Sequence, residues 1–556
     1  MNEFFRNVYF KYLPHPSQHE SHAGTAVLDP AHLGDIHGAF GTIRRDDHPA
    51  NHKTLWKKIL IFLAILGPGI IVMVGDNDAG GVATYAQAGQ NFGTSLLWTL
   101  LLLVPVLIVN QEMVVRLGSI TGVGHARLII ERFGKFWGFF SAGDLFLVNF
   151  LTIITEFIGI SQAMSYFGIS IYISVPIAAA VLIGITLTGS FRRWEQSLFG
   201  FIAVSFLMFP LAIMVHPNYA TVFKDTFFPR IEGGLTSDAL LLIIGIVGTT
   251  VAPWQLFFQQ SNVIDKRITP RWLSYEKLDT FFGAILTNTG AAALIIAGAA
   301  LFGTKFGGNF TDALGVAHGL TQTIGSRAGD VFAIVLFDAS VIGAAAVTLS
   351  TAYAFGDVFK THHSLHRKFS EAKGFYIMYS TLVALAAGIV LIPHAPLGLI
   401  TLGVQALAGI LLPSATVFLL FLCNDKEVLG PWTNGPVINA ISSLIVGVLV
   451  MLSLILAATT MFPVINVTYI TIGLGIMLVL GLLGTGFLYL KTHKKEEKQT
   501  MSLEEKMEWR MPPLELLKPS VWSAPMKIGM LVLRGYLLIA VVLMVVKVIQ
   551  LAIVGH

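Results

Sequence analysis

From Trp56 onward, apolar residues run in blocks of about twenty, separated by short polar connections. That length fits a helix crossing the hydrocarbon core of a bilayer, and about thirteen such blocks are present. Their centres lie near Met73, Leu103, Phe150, Leu182, Phe206, Thr250, Leu294, Ile342, Ala384, Leu411, Leu449, Met477 and Val541. The first block, from about Ile59 to Ala88, is interrupted by Gly75-Asp76-Asn77-Asp78-Ala79-Gly80-Gly81. Two carboxylates inside a membrane-length segment cost about 2.5–3.5 kcal/mol each on insertion, so they face a cavity or a partner. The three glycines and the short polar side chains disfavour continuous helix. The pattern predicts two half-helices meeting at an unwound, carboxylate-bearing break. The sixth block carries a matching break at Gly248-Thr249-Thr250-Val251-Ala252-Pro253-Trp254-Gln255.

Breaks in spans 1 and 6 imply a core of five spans plus five. Five is odd, so the second half enters the membrane with opposite orientation to the first. This is the arithmetic of an inverted repeat, and it predicts an all-α polytopic membrane protein of LeuT-like fold with additional C-terminal spans. Paired interrupted segments in corresponding positions of two halves point to a transporter's binding site at the bilayer midplane.

Charge in the connections orients the chain. With the N-terminus cytoplasmic, the inner loops carry Arg127, Arg132 and Lys135, then Arg192 and Arg193, then Lys266, Arg267 and Arg271. Further along they carry Lys360, Arg367, Lys368 and Lys373, and finally Lys491, Lys494, Lys495 and Lys498. The outer loops are balanced or nearly uncharged, as the positive-inside rule requires. The count puts His556 outside. The expected organisation is a polar, His-rich cytoplasmic tail (1–53), a transporter core of spans 1–10 (54–425), spans 11 and 12 (426–490), a basic cytoplasmic segment (491–527) and a last span (528–556). The tail holds seven of the sixteen histidines but places Pro16 and Pro49 inside its i,i+4 pairs, so it reads as a flexible tail rather than a metal-binding helix.

Composition agrees with the span count. The 556 residues are 54% apolar and 12% charged, with mean hydropathy +0.72. That charge fraction is about half that of a soluble domain. A single Cys423 excludes a disulfide framework and a Cys metal cluster. The N-terminus shows no signal-peptide core. No GxxxxGK[ST] sequence, no nucleic-acid signature and no obligate protein partner are evident. The partners expected are the lipid bilayer and a small cargo, with no cofactor and no enzymatic step.

The polar residues at membrane depth are Asp76 and Asp78 in span 1, Glu156 in span 3, Gln255 after the span 6 break, Asp338 in span 8 and Gln405 in span 10. Carboxylates and amides are oxygen ligands, and they suit a hard divalent cation such as Mg²⁺, Mn²⁺ or Ca²⁺. Unwound backbone adds carbonyls, best placed at Gly75 and Ala252. Asp76 fits either a ligand or the cap of the second half-helix, and the same choice is open for Asp78. Glu156 has no basic residue at comparable depth in the core spans. Asp338 and Gln405 are open between structural and binding roles. Glu112 and Arg116, one turn apart, are expected to pair.

These residues resemble the Nramp family of divalent metal transporters. Gly67-Pro68-Gly69 followed by Asp78-Ala79-Gly80-Gly81-Val82-Ala83-Thr84 is similar to that family's span 1, whose signature reads Asp-Pro-Gly-Asn. Ala252-Pro253-Trp254-Gln255 lies where the family reads Met-Pro-His-Asn; Glu156-Phe157-Ile158-Gly159 matches its span 3 Glu; and Gln405, eight residues before Pro413, resembles its span 10 Gln. The resemblance implies a metal site of Asp78, Glu156, Gln255, Gly75 and Ala252, with Asp76 and Gln405 as further candidates. It also implies alternating access and a prokaryotic plasma membrane.

The departures shift the expectation. Ala252 replaces the family's Met, removing a soft thioether and with it discrimination against Mg²⁺. Trp254 replaces the span 6 His, and Ile153 replaces a span 3 Asp, so two groups of the family's proton route are missing. The combination is most like the family's Nramp-related magnesium transporter branch. It predicts movement of Mg²⁺, with Mn²⁺ also carried, without proton coupling. The alternative is a proton-coupled Mn²⁺/Fe²⁺ symporter. A Na⁺-coupled amino-acid transporter and a non-transporting sensor of the same architecture also remain open.

Overall fold

The computed structural model describes residues 26–52, 54–393, 397–461, 466–492, 501–520, 526–536 and 538. Among the described residues, nine helices are long and apolar enough to cross a membrane, or eleven if each of two bent pairs is one span. The shorter helix Ile171–Leu187 supplies span 4. The expected last span, centred on Val541, lies mostly outside the described residues.

Span 1 breaks where the polar run interrupts it. A helix at Leu55–Ile65 meets Pro68–Gly75 at a bend of 51°. The helix then stops, and Ala79–Phe92 begins after Asp76-Asn77-Asp78. Span 6 repeats the device. Ser237–Thr250 ends, Val251 leaves the helical conformation, Ala252 is extended, and Pro253–Asp265 restarts with Pro253 in its first turn. A proline there loses nothing, because a first-turn N–H has no helical partner.

Span 7, Leu273–Ala299, packs along both halves of span 1, and span 8, Ser326–Phe359, packs on span 3, Lys135–Tyr166. The start of Pro68–Gly75 is fixed by Asp279 of span 7. Its carboxylate accepts the N–H groups of Gly67 at 3.0 Å, Gly69 at 2.8 Å and Ile70 at 3.1 Å. Beside it, Lys266 Nζ donates to Leu66 O at 2.8 Å and pairs with Glu195 of span 5 at 2.5 Å, both side chains fully buried. These bonds satisfy the polar groups that the bend would otherwise leave bare at depth. Glu112 and Arg116 pair at 3.1 Å, as their spacing predicts.

The N-terminal tail differs from the flexible segment expected. Residues 36–38 and 41–43 form a two-stranded antiparallel hairpin flanked by two short 3₁₀ turns, Pro30–His32 and Pro49–Asn51. Of its seven histidines, His15, His19 and His22 lie outside the described residues. His32 is buried against Asp265 and His363. Burial draws its imidazole down to about 4, against the pull of the Asp265 carboxylate. Burial pushes Asp29 up, but the Arg367 guanidinium and the Ala31 N–H outweigh it and hold the carboxyl well below the usual range. Residues 26–52 are structured because specific partners on distant loops receive their polar groups, a feature their composition does not encode.

Asp279→Ala should lower stability by about 3 kcal/mol, since three buried N–H donors lose a charged acceptor. Thermal unfolding of the solubilised protein reads this; an unchanged midpoint would refute the capping role.

Candidate functional site

The site forms at the two breaks. Asp78 is the N-cap of Ala79–Phe92, and its Oδ1 accepts the Gly81 N–H at 2.7 Å. Capping therefore falls on Asp78, whereas Asp76 ends the preceding helix. Glu156 enters from span 3, fully buried, and its Oε2 accepts the Ala79 N–H at 3.1 Å. The Asp78 and Glu156 side chains approach one another closely. Gly343 of span 8 makes this approach possible: a Cβ there would stand 2.6 Å from Glu156 Oε2 and 2.9 Å from Asp78 Cβ. Glu156 Oε1 is buried with no hydrogen-bond partner.

Asp76 Oδ1 accepts from Gln255 Nε2, and Asp76 Oδ2 is buried without a partner. The Gln255 amide also donates to Thr250 O at 3.3 Å, while its Oε1 accepts from Gln111 Nε2 at 3.1 Å. Gln255 was expected to offer an oxygen to a cation. Here that oxygen is turned to span 2, and the amide steadies Asp76. The Ala252 carbonyl accepts the Gln255 N–H at 3.3 Å. Gly75 lies under Trp254; its Cβ position would stand 3.4 Å from the indole edge. Trp254 thus fills with apolar ring the place where the resemblance expects a histidine.

Asp76, Asp78, Glu156 and Gln255 are brought together with the backbone of Gly75 and Ala252. Among the described residues, no group of three acidic, imidazole or thiol side chains forms a ready metal cage. The donor set is instead a carboxyl pair, a third carboxyl turned to an amide, and backbone oxygens. Gln405 lies in the span 10 helix, and its side chain falls outside the described residues. Asp338 accepts from Ser205 of span 5 at 2.5 Å, a partner apart from the break.

Sequence reasoning missed the supports. Gln111 holds Gln255, Tyr85 and Thr250 join hydroxyls at 2.7 Å across the two breaks, and Asn77 Nδ2 donates to Thr287 O at 3.2 Å. It also missed Asp144 of span 3, bound by Ser414 of span 10 at 2.7 Å. A polar residue inside an apolar block was the available signal for Gln111 and Asp144. A small cleft lined by Ala79, Thr155, Gly159, Gln162, Asp312 and Thr401 lies beside the start of Ala79–Phe92, next to Asp78 in the chain.

Two broken helices facing each other across a buried carboxyl pair define a polytopic membrane protein of the LeuT-like architecture. A family signature described as "Natural resistance-associated macrophage protein-like" matches residues 69–459, and the chain belongs to that family, Nramp. It is 27% identical over 401 residues to a protein named divalent metal cation transporter MntH from Ralstonia nicotianae, covering 70% of this chain and 88% of the relative. It is 26% identical over 418 residues to the MntH of Bacillus subtilis, covering 72% and 92%. The fold is shared with the crystal structure of a manganese transporter from Eremococcus coleocola, with TM-score 0.61, 21% identity and coverage of 79% and 96%. The magnesium-transporter branch is not distinguished by these likenesses.

Asp78→Ala should cost about 1 kcal/mol through the lost cap, whereas Asp78→Asn, which retains a capping oxygen, should cost a few tenths. Chemical or thermal unfolding of both variants checks this; equal losses would remove the capping role.

Proposed function

We propose that this protein is a secondary transporter that carries divalent cations, Mn²⁺ among them, across the membrane by alternating access. The observation that carries the reading is the buried Asp78–Glu156 pair at the break of span 1, set against the break of span 6. Carboxyl and carbonyl oxygens are the ligands hard divalent ions take. Membership of the Nramp family, and relatives named as divalent metal cation and manganese transporters, support the same cargo class.

Asp78 and Glu156 stand close together around Gly343, where two bare carboxylates repel each other and a proton or a cation between them relieves the repulsion. A cation entering the site needs both as carboxylates, so a proton bound there leaves as the metal arrives. Released to the far side, that proton travels with the metal, which favours co-transport over the uncoupled movement expected from Ile153 and Trp254. Ala252 supports a second point. With no thioether in span 6, Mg²⁺ meets the same oxygen donors as Mn²⁺ and competes for them.

In this mechanism the cation enters by the cleft beside Ala79 and is held by Asp78 and Glu156. Gln255 turns its amide to release Asp76 as a further acceptor. Spans 1, 2, 6 and 7 then rock against the rest and open the predicted cytoplasmic side.

Reconstituted into proteoliposomes with a pH dye inside, the protein should take up Mn²⁺, acidify the lumen in step, and be inhibited by excess Mg²⁺. No flux of either ion would overturn the reading; flux without acidification would restore the uncoupled one. Ala252→Met should weaken Mg²⁺ competition about tenfold, or about 1.4 kcal/mol, while Mn²⁺ uptake persists. An unchanged Mg²⁺ inhibition constant would show that the span 6 side chain does not set selectivity.

A further inference from the structure

The N-terminal segment precedes the region that matches the family and closes over the predicted cytoplasmic end of the helices. It grips two groups of elements at once. On one side, Arg267, in the turn between spans 6 and 7, donates to Ala31 O at 2.9 Å and to Asp35 O at 3.0 Å. Asp265, the last residue of span 6, lies 3.5 Å from His32 Nε2. The hairpin also lies flat on the helix that leads into span 1: a Cβ on Gly38 would stand 1.9 Å from Ala64 O. On the other side, the Asp29 carboxylate is clasped by Arg367 of the span 8–9 connection, at 2.5 and 2.9 Å, and accepts the His363 N–H at 3.1 Å. The Ala39 N–H donates to Glu195 of span 5 at 2.5 Å, and Gln196 donates to Ala39 O at 3.0 Å.

The first set of partners belongs to spans 1 and 6 and their connections. The second belongs to spans 5, 8 and 9. Rocking one group against the other cannot occur while one short segment holds both. Every strap contact named here involves a buried backbone group, a charged side chain or both, so the contacts must break together rather than stretch. We propose that residues 26–52 are a latch across the predicted cytoplasmic mouth, whose release must precede opening of the site to that side. The latch rests on the alternating-access reading for the direction of movement, but its assay needs no cargo.

Ala346 of span 8 is buried beside Gly75, 3.8 Å from where a Cβ there would stand, and is covered by the first half of span 1. Ala346→Cys in a Cys423→Ala background, in inverted membrane vesicles, reads exposure through labelling by a membrane-impermeant maleimide. Asp29→Ala should raise the labelling rate about tenfold, and Arg367→Ala should do the same. If loss of Asp29 prevents folding, Gly38→Ala wedges the hairpin off without removing a charge and should give the same increase. Unchanged labelling in the folded variants, with or without a fall in thermal stability, would overturn the latch and leave the strap a brace. Raised labelling in a protein that carries no cation in proteoliposomes would instead sink the cargo reading and spare the latch.

Discussion

The structure depends on how an unwound, charged backbone is satisfied at membrane depth. Asp76-Asn77-Asp78 interrupts a helix where lipid offers no hydrogen bonds, so every freed group needs a protein partner. The partners come from far along the chain. Glu156 accepts the Ala79 N–H, Gln255 donates to Asp76, and Asn77 reaches Thr287. The need for these partners draws spans 3, 6 and 7 around the break. The same groups that keep it from collapsing are oxygen-rich and leave acceptors such as Asp76 Oδ2 and Glu156 Oε1 without a partner. In the proposed transport reading, structural necessity and cation chemistry share one set of atoms.

The second half of span 1 and the second half of span 6 are rooted in different ways. Asp78 caps one with its own carboxylate, whereas Pro253 starts the other with no side-chain cap. Asp78 is thereby committed at one oxygen to the helix, with Glu156 close beside it. Movement of the half-helix carries the carboxyl with it, which couples the geometry of the pair to the conformation of span 1. Below the break, Asp279 and Lys266 fix the other end of the short helix Pro68–Gly75. The N-terminal hairpin adds a further layer of closure on the same side.

Much of the architecture was legible from periodicity alone. The block lengths placed the spans, and the glycine- and proline-bearing interruptions placed both breaks within a residue or two. The carboxylates of the site stood out because apolar blocks have no other use for them. What stayed hidden was pairing. Nothing local says that Gln255 turns its oxygen to Gln111, 144 residues away in sequence, or that Asp29 finds Arg367 across 338 residues. Residues 26–52 looked unstructured for the same reason: their order comes from loops distant in sequence. Residue identity suggested two roles for Asp78, ligand and cap, and only the backbone geometry showed that it caps its helix.

The central claim is that the paired carboxyls at the span 1 break hold the cation. Anomalous scattering from Mn²⁺ bound to the crystallised protein addresses it most directly. The account predicts a peak between Asp78 and Glu156 that disappears in the Asp78→Asn variant. A Mn²⁺ peak elsewhere, with none between the two carboxyls, would contradict it.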